Sequence, residues 1–321
     1  MKREFPFPPY PRGWYRVADS ADLAPGAVLR LEYFGRPLVG VRFESGEARV
    51  FDAHCPHLGA HLGYGGIVVG ETIQCPFHAW RFGLEGQCVG IPYAKHIPPR
   101  AQLRAWPVCE RNGLLMLWFA QDGRGPEWQV PELPELASPE WTEPQRLHWV
   151  VKTRQQEMAE NVVDPAHFRY VHGTVTVPES EVQADGHVFR VISCSGMATP
   201  QGVVEGTIQI EAHAFGWGYT RFTGIVETLL MTTGTPIDAE RVDLNLRFVV
   251  RRLANSDATR GVGAAFIAEV TRQFSQDIPI WENKIHLERP LLCDGDGPIP
   301  ALRRWGRQFY DTSYDTSASS G

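Results

Sequence analysis

No stretch of eighteen or more apolar residues occurs in the 321-residue sequence, so no helix able to span a bilayer is expected. The start, MKREFPFPPYPRGWYRV, is aromatic and proline-rich but lacks the apolar run of a secretory signal. Lys and Arg form no block and the net charge is −6, so neither nucleic acid nor anionic lipid is an expected partner. Cysteine is scarce: six are too few in a chain this long for a disulfide framework. Together these absences predict a soluble, cytoplasmic protein with reduced thiols. There is no G-x-G-x-x-G fingerprint, so no nicotinamide or flavin dinucleotide is expected on this chain. No repeat at solenoid periods is visible.

What is present suits a folded protein of about two domains, with 43% hydrophobic and 21% charged residues. Short strands and tight turns dominate from Ala27 to Ala120. Val39, Val41 and Phe43 alternate with smaller or polar neighbours before ESGE (Glu44 to Glu47) turns the chain. Asn112-Gly113 is a hairpin signal leading into Leu114, Met116 and Trp118 on one strand face. An antiparallel β domain over residues 1–120 is expected, then a Pro- and Gly-rich linker over 121–140.

Residues 141–310 mix strands and helices. Val242, Leu244, Leu246 and Phe248 alternate with Asp243, Asn245 and Arg247, which predicts a half-buried strand. Ile208, Ile210, Ala212 and Ala214 alternate likewise. Residues 224–232 are more continuously apolar and read as a strand covered on both faces. Residues 261–287 have helical spacing, with Pro279 expected to end or kink the helix. Strands with helices set apart indicate an α+β fold, not βαβ units. The tail 311–321, DTSYDTSASSG, is expected to be disordered.

The chemistry is concentrated in CPHLGAHLGYGGIVVGETIQCPFHAW, residues 55–80. It contains Cys55-x-His57 and Cys75-x-x-His78, with seventeen residues between. Two thiols and two imidazoles suit tetrahedral zinc as well as iron. Each loop supplies one Cys and one His, whereas zinc fingers usually draw both thiolates from one segment and both imidazoles from another. In a two-iron cluster, two thiolates can hold one iron and two neutral imidazoles the other, which raises the reduction potential. His54 and His61 are the alternative imidazoles, expected to be surface or supporting residues. Cys88, Cys109, Cys194 and Cys293 have no ligand spacing and read as small packing residues.

These two phrases, with their flanks CPHLGAHL and CPFHAWRF, resemble the Rieske 2Fe–2S signature. A second motif, AENVVDPAHFRYVHG (residues 159–173), extends the resemblance. Asp164-Pro165 reads as a helix start and Gly173 as its stop. On an ideal helix Asp164 and His167 lie about 60° apart but His167 and His172 about 140°, so the turn must unwind for both imidazoles to meet. D-x-x-H-x-x-x-x-H resembles the mononuclear iron motif of Rieske-type ring-hydroxylating oxygenases. Two His and one carboxylate form a triad that leaves iron positions open. By resemblance, Asp277 in QFSQDIPIWENKIHLERPLLCDGDGP (residues 273–298) is the carboxylate; Glu269, Asp294 and Asp296 are weaker candidates.

The resemblance covers nearly the whole chain. It implies an N-terminal Rieske domain and a helix-grip (START-like) catalytic domain, with an antiparallel sheet and a long C-terminal helix. It implies a terminal oxygenase that uses dioxygen and receives electrons, ultimately from NAD(P)H, through a separate ferredoxin or flavin reductase. It also implies a head-to-tail homotrimer in which Asp164 bridges His78 of one subunit and His167 of the next. Within the family, CPHLGAHLGYGGIVVG, PYAKHIPP and PLLCDGDGP look closest to the branch of cholesterol 7-desaturases and 3-ketosteroid 9α-hydroxylases. A sterol-like substrate is therefore expected, with 7,8-desaturation the specific expectation and 3-ketosteroid hydroxylation, or monooxygenation of another hydrophobic small molecule, the alternative. Phe215, Trp217, Ile225, Leu229 and Met231 are candidate pocket residues. A Rieske electron-transfer protein, a helix-grip lipid-binding module and a zinc-stabilised fold are the competing classes.

Overall fold

The computed structural model describes residues 5–174, 177–199 and 202–310; the expected tail lies outside the described residues. The chain divides into two compact units, Trp14–Pro131 and a second built mainly from Glu132 onward with the chain start.

The first unit holds three small sheets, in which the registered strand pairs are antiparallel. One has Leu114–Phe119 between Gly13–Asp19 and Val108–Arg111. The Asn112-Gly113 turn has φ of 56° and 71°, both in the left-handed region, and pairs Arg111 with Leu114. Two such residues give a turn whose twist matches the strands it joins. Leu114–Phe119 is buried along its whole length, where the sequence suggested one apolar face. A second sheet orders Val28–Tyr33, Arg36–Arg42, Ala48–Asp52 and Ala105–Trp106. The third runs Ile67–Val69, Thr72–Gln74, Arg81–Phe82 and Cys88–Gly90. Cys75 to Trp80 is the hairpin connection between its two middle strands.

The second unit is a seven-stranded antiparallel sheet. Its spatial order is Gln145–Val151, Val242–Val250, Thr228–Pro236, Trp217–Phe222, Gly202–His213, Val188–Thr199 and Glu179–Asp185. Helices α1 (Gln155–Glu160) and α2 (Pro165–Tyr170) follow its first strand. The long α3 (Ser256–Asn283) packs on the sheet, and the shorter α4 (Ile299–Gly306) follows. Val151, Leu230, Leu244, Leu246, Phe248 and Val250 from the sheet meet Ile267, Val270 and Trp281 from α3 in one apolar core. Each large side chain fully buried there contributes about 1.5–3 kcal/mol relative to exposure. The fold is α+β, as the patterning indicates.

Three local expectations change. Val242–Val250 is buried along nearly its whole length, polar row included, and that row finds partners among neighbouring side chains. Asp243 Oδ1 accepts from His148 Nε2 and from Asn245 Nδ2, each at 2.7 Å. The apolar strand read at 224–232 runs over Thr228–Pro236. Pro279 lies inside α3, which continues to Asn283. The proline ring removes one intrahelical hydrogen bond, but tertiary packing of Trp281 and Ile278 holds the last turn in place. Among the described residues no helix is long and apolar enough to cross a membrane.

Candidate metal centres

The two Cys/His loops share one backbone design. Gly59 N–H donates to Cys55 O at 3.0 Å, and Ala79 N–H to Cys75 O at 3.1 Å. Cys55 N–H donates to Ala60 O and Cys75 N–H to Trp80 O, both at 2.8 Å. The residue four beyond each cysteine is left-handed, with φ of 75° at Gly59 and 56° at Ala79. Each loop thereby folds back over its own cysteine, as a clamp on a metal group requires. Between them the chain is tight: a Cβ on Gly66 would lie 2.2 Å from Leu62 O.

Cys55 and Cys75 are both buried, and their thiols are hydrogen-bonding neighbours. Burial pushes the Cys55 thiol up to about 11, so a thiolate pair there needs a cationic partner. The His57 and His78 rings meet edge to face with centroids 4.7 Å apart. Trp80 stacks on His57 at 4.6 Å and donates through Nε1 to Tyr93 Oη at 2.8 Å. His78 Nδ1 is buried without a hydrogen-bond partner, which suits a ring nitrogen reserved for a metal.

The ligand atoms of Cys55, His57, Cys75 and His78 do not all gather at one point. Among the described residues, the groups whose ligand atoms all come within 4.8 Å of one another do not include this set. Tetrahedral zinc, with bonds of about 2.0–2.3 Å, would draw its ligands closer than that. One thiol pair and one imidazole pair fit a two-iron cluster, in which thiolates hold one iron and imidazoles the other. His54 and His61 instead pair with each other, and Gly63 N–H donates to His61 Nδ1 at 3.0 Å.

The second site begins at α2. Asp164 caps the helix by accepting from His167 N–H at 3.4 Å, and Pro165 opens it. The helix then widens. His172 N–H reaches back five residues to His167 O at 3.4 Å, and Thr174 N–H six residues to Phe168 O at 3.1 Å. Gly173, with φ of 78°, closes the turn. This wide turn removes the angular mismatch of the ideal helix and brings the His167 and His172 rings to 5.0 Å between centroids.

Asp277 of α3 completes the group. The ligand atoms of His167, His172 and Asp277 all lie within 4.8 Å of one another. His172 Nε2 is 3.4 Å from Asp277 Oδ1, which is buried and lacks a hydrogen-bond donor. A buried carboxylate oxygen without a donor is costly, and a cation at this point would offset that cost. The other ring nitrogens are occupied: His167 Nδ1 bonds the backbone oxygen of Asp164, and His172 Nδ1 bonds Gln276 Oε1 at 3.0 Å. Each imidazole therefore keeps Nε2 for a metal. Burial pulls the His167 pKa down, favouring the neutral, ligating ring. At His172 burial acts the same way but is outweighed by Asp277 and Gln276, and the value rises. Gln276 has no signature in the sequence; only its place beside Asp277 could have suggested it. Glu269 pairs with Arg272, and Asp296 accepts from Cys293 N–H, so neither joins the triad.

Glu157, Glu160 and His286 form another convergent group, but its charges are already matched. Lys284 and His286 contact Glu157 at 2.8 and 2.7 Å, and Arg303 contacts Glu160 at 2.7 Å. This network ties α1 to the chain beyond α3 and to α4.

A cavity of about 870 Å³ lies between the sheet and α3, with His167, His172 and Asp277 in its wall. Ile208, Ile210, Phe222 and Leu230 line it from the sheet, and Phe266 and Phe274 from the helix. Of the candidate pocket residues, Phe215, Trp217 and Ile225 line it, while Leu229 and Met231 are buried elsewhere. Side chains alternate along Thr228–Pro236, and Leu230, Thr232 and Gly234 have the parity that faces the cavity.

The fold is that of Rieske oxygenases. Pseudomonas putida CBB5 NdmA with caffeine superposes with a TM-score of 0.76 at 20% identity, over 92% of this chain and 89% of that one. Dicamba monooxygenase bound to dicamba gives 0.73 at 20% identity, over 92% and 96%. Residues 13–107 match the Rieske 2Fe-2S domain and residues 117–310 the 3-ketosteroid 9α-hydroxylase C-terminal domain. A 3-ketosteroid-9-alpha-monooxygenase oxygenase component of Rhodococcus rhodochrous is 35% identical, covering 94% of this chain and 83% of the relative. A cholesterol 7-desaturase of Caenorhabditis elegans is 32% identical, covering 97% and 79%. This chain belongs to that family of Rieske-type oxygenases and is an oxidoreductase. The pure electron-carrier, lipid-binding and zinc-stabilised readings fall away.

Proposed function

We propose that the chain is the terminal oxygenase of a multicomponent system that oxidises a C–H bond of a sterol or steroid, with 7,8-desaturation of a cholesterol-like sterol as the specific reaction. The observation that carries this reading is the cavity, apolar over most of its wall and bearing two imidazoles and one carboxylate at one place. Its volume lies within the range that encloses a drug-sized ligand. Cys55, His57, Cys75 and His78 hold the 2Fe–2S cluster, and His167, His172 and Asp277 hold the mononuclear iron. When bound, these groups supply one-electron transfer and dioxygen activation, respectively. The protein's own work is to orient Nε2 of both histidines, exclude water with Phe222, Phe266 and Phe274, and hold an apolar ring system against the triad. Residues 1–120, 121–140 and 141–310 are the Rieske domain, linker and catalytic domain of this scheme.

The reaction is settled by isotope. Desaturation removes two hydrogens and sends both oxygen atoms to water, whereas hydroxylation leaves one oxygen in the product. The match of residues 117–310 to the 3-ketosteroid 9α-hydroxylase C-terminal domain favours 9α-hydroxylation as the second reading. Enzyme, reductase and NAD(P)H are incubated under ¹⁸O₂ with a panel of 3β-hydroxy sterols and 3-ketosteroids. Mass spectrometry is expected to show loss of two mass units without label. A labelled hydroxyl establishes the second reading, and no product from any sterol sinks both.

Asp164 is proposed to bridge subunits of a ring-shaped homotrimer by hydrogen bonding, linking His78 of one to His167 of the next along the path of electron transfer. Asp164→Asn keeps a helix cap, so stability should change by less than the ~1 kcal/mol that loss of a cap costs. Both metal centres should load normally. Reoxidation of the reduced cluster by dioxygen with substrate should slow by about 10–100-fold, the range for an outer partner of a ligand. Stopped-flow absorbance reads this, and an unchanged rate ends the bridging role.

A further inference from the structure

Helix α3 does more than deliver Asp277: three contacts from two consecutive turns of it close on one residue, His172. Arg272 Nη2 donates to the His172 backbone oxygen at 3.1 Å. Gln276 Oε1 accepts from His172 Nδ1 at 3.0 Å. Asp277 Oδ1 stands 3.4 Å from His172 Nε2. Arg272 and Gln276 are four residues apart, so they project from the same helix face one turn from each other. Arg272 is itself braced by Glu269, at 2.6 Å.

His172 needs such a hold. It sits in the widened turn after α2, where its own N–H makes only a long 3.4 Å bond to His167 O. That backbone alone does not fix the ring. His167 differs, because its Nδ1 is tied to Asp164 within its own helix. The two histidines are thus oriented by different means, one by local backbone and the other by a distant helix.

We propose that Gln276 is a positioning residue for the mononuclear metal: its amide oxygen fixes His172 with the proton on Nδ1 and Nε2 free, and Arg272 pins the backbone beneath. This rests on the reading of His167, His172 and Asp277 as a metal site. A neutral acceptor sets the tautomer without adding charge, so the site keeps one carboxylate against a divalent ion. An acceptor on the far ring nitrogen also raises the basicity of the ligating one.

The test measures ferrous-ion affinity and not turnover alone. Holoprotein carrying its brown cluster is stripped of mononuclear iron and titrated anaerobically with Fe(II) against a competing chelator. The melting transition of the unit that begins at Glu132, followed by circular dichroism, reports the fold in every variant. Gln276→Leu and Gln276→Met remove the acceptor and should weaken Fe(II) binding by about 10–100-fold. Gln276→Glu keeps an acceptor and should bind within a few-fold of the parent. Leu and Met variants with parental affinity overturn the proposal. So does a Glu variant as weak as they are, or loss of fold in both Leu and Met, since Gln276 then serves packing. If the parent itself takes up no Fe(II) beyond its cluster, the metal-site reading fails instead.

Discussion

His172→Ala is expected to leave the brown Rieske colour intact and to abolish product formation. His172 belongs to the unit that begins at Glu132, whereas Cys55, His57, Cys75 and His78 all lie within Trp14–Pro131. Loss of the imidazole therefore removes no cluster ligand. In its own unit it removes one of two nitrogen donors and leaves the buried Asp277 Oδ1, which has no hydrogen-bond donor, with His167 as its one imidazole neighbour in the triad. Gln276 Oε1 loses its partner as well, while Arg272 keeps its bond to the backbone oxygen of residue 172. Stranded buried polar groups cost about 1–3 kcal/mol each, so a lower Tm of this unit should accompany the change. Turnover should fall by more than about 100-fold, the upper end of what loss of an outer partner of a ligand produces. Iron content should drop by about one atom per chain, because two remaining ligands no longer make a triad. The checks are visible absorbance, iron analysis and product yield on the same preparation. A variant that keeps forming product would remove His172 from the chemistry.

Much of this was legible in the sequence, for a physical reason. The cluster loops are local: Cys and His two or three residues apart must share a loop, and Pro and Gly beside them state its shape. Hairpin and alternation signals gave the antiparallel architecture in the same way. The second site was harder because its parts are remote. His167 and His172 sit badly on an ideal helix, and only the five- and six-residue backbone closures after α2 bring their rings together. Asp277 lies 105 positions beyond His172 and meets it through tertiary packing of α3. Gln276 has only its place beside Asp277 to point to it, since an amide carries no ligand signature.

The errors share one cause, the override of local pattern by layering. Alternation of Asp243, Asn245 and Arg247 with apolar neighbours suggested a wetted face, yet the strand is enclosed in a seven-stranded sheet. Leu229 and Met231 have the composition of pocket residues but the wrong parity, and their neighbours Leu230 and Thr232 face the cavity instead. Pro279 announces a helix end or a kink, and of these the end is excluded, since packing around Trp281 carries α3 past it. Composition chose the right segments, and the sheet decided which side of each segment does the work.

Cys75→Ala should have the largest effect on stability. Its thiol is buried beside that of Cys55, and both cysteines belong to the apolar core with Ile73, Trp80 and Phe82. The connection from Cys75 to Trp80 joins the two middle strands of a small sheet whose segments are only two or three residues long. Such short strands gain little from their own ladder. A metal group held by both loops would tie that sheet to the loop following Ala48–Asp52, and its binding free energy would then be folding free energy. Removing one thiolate should abolish the brown colour, lower iron by about two atoms per chain, and broaden or lose the melting transition of this unit. Fe(II) binding at His167, His172 and Asp277 should survive, because none of those residues lies in the affected unit. Cys88→Ala is the control. Cys88 is also buried in this core but makes only a weak 3.7 Å contact from its sulfur to Gly90 O. It should keep the colour and lose roughly 1 kcal/mol or so of packing, as a small core truncation does. If the Cys75 variant stays brown while the Cys88 variant bleaches, the assignment of the thiolate pair is wrong.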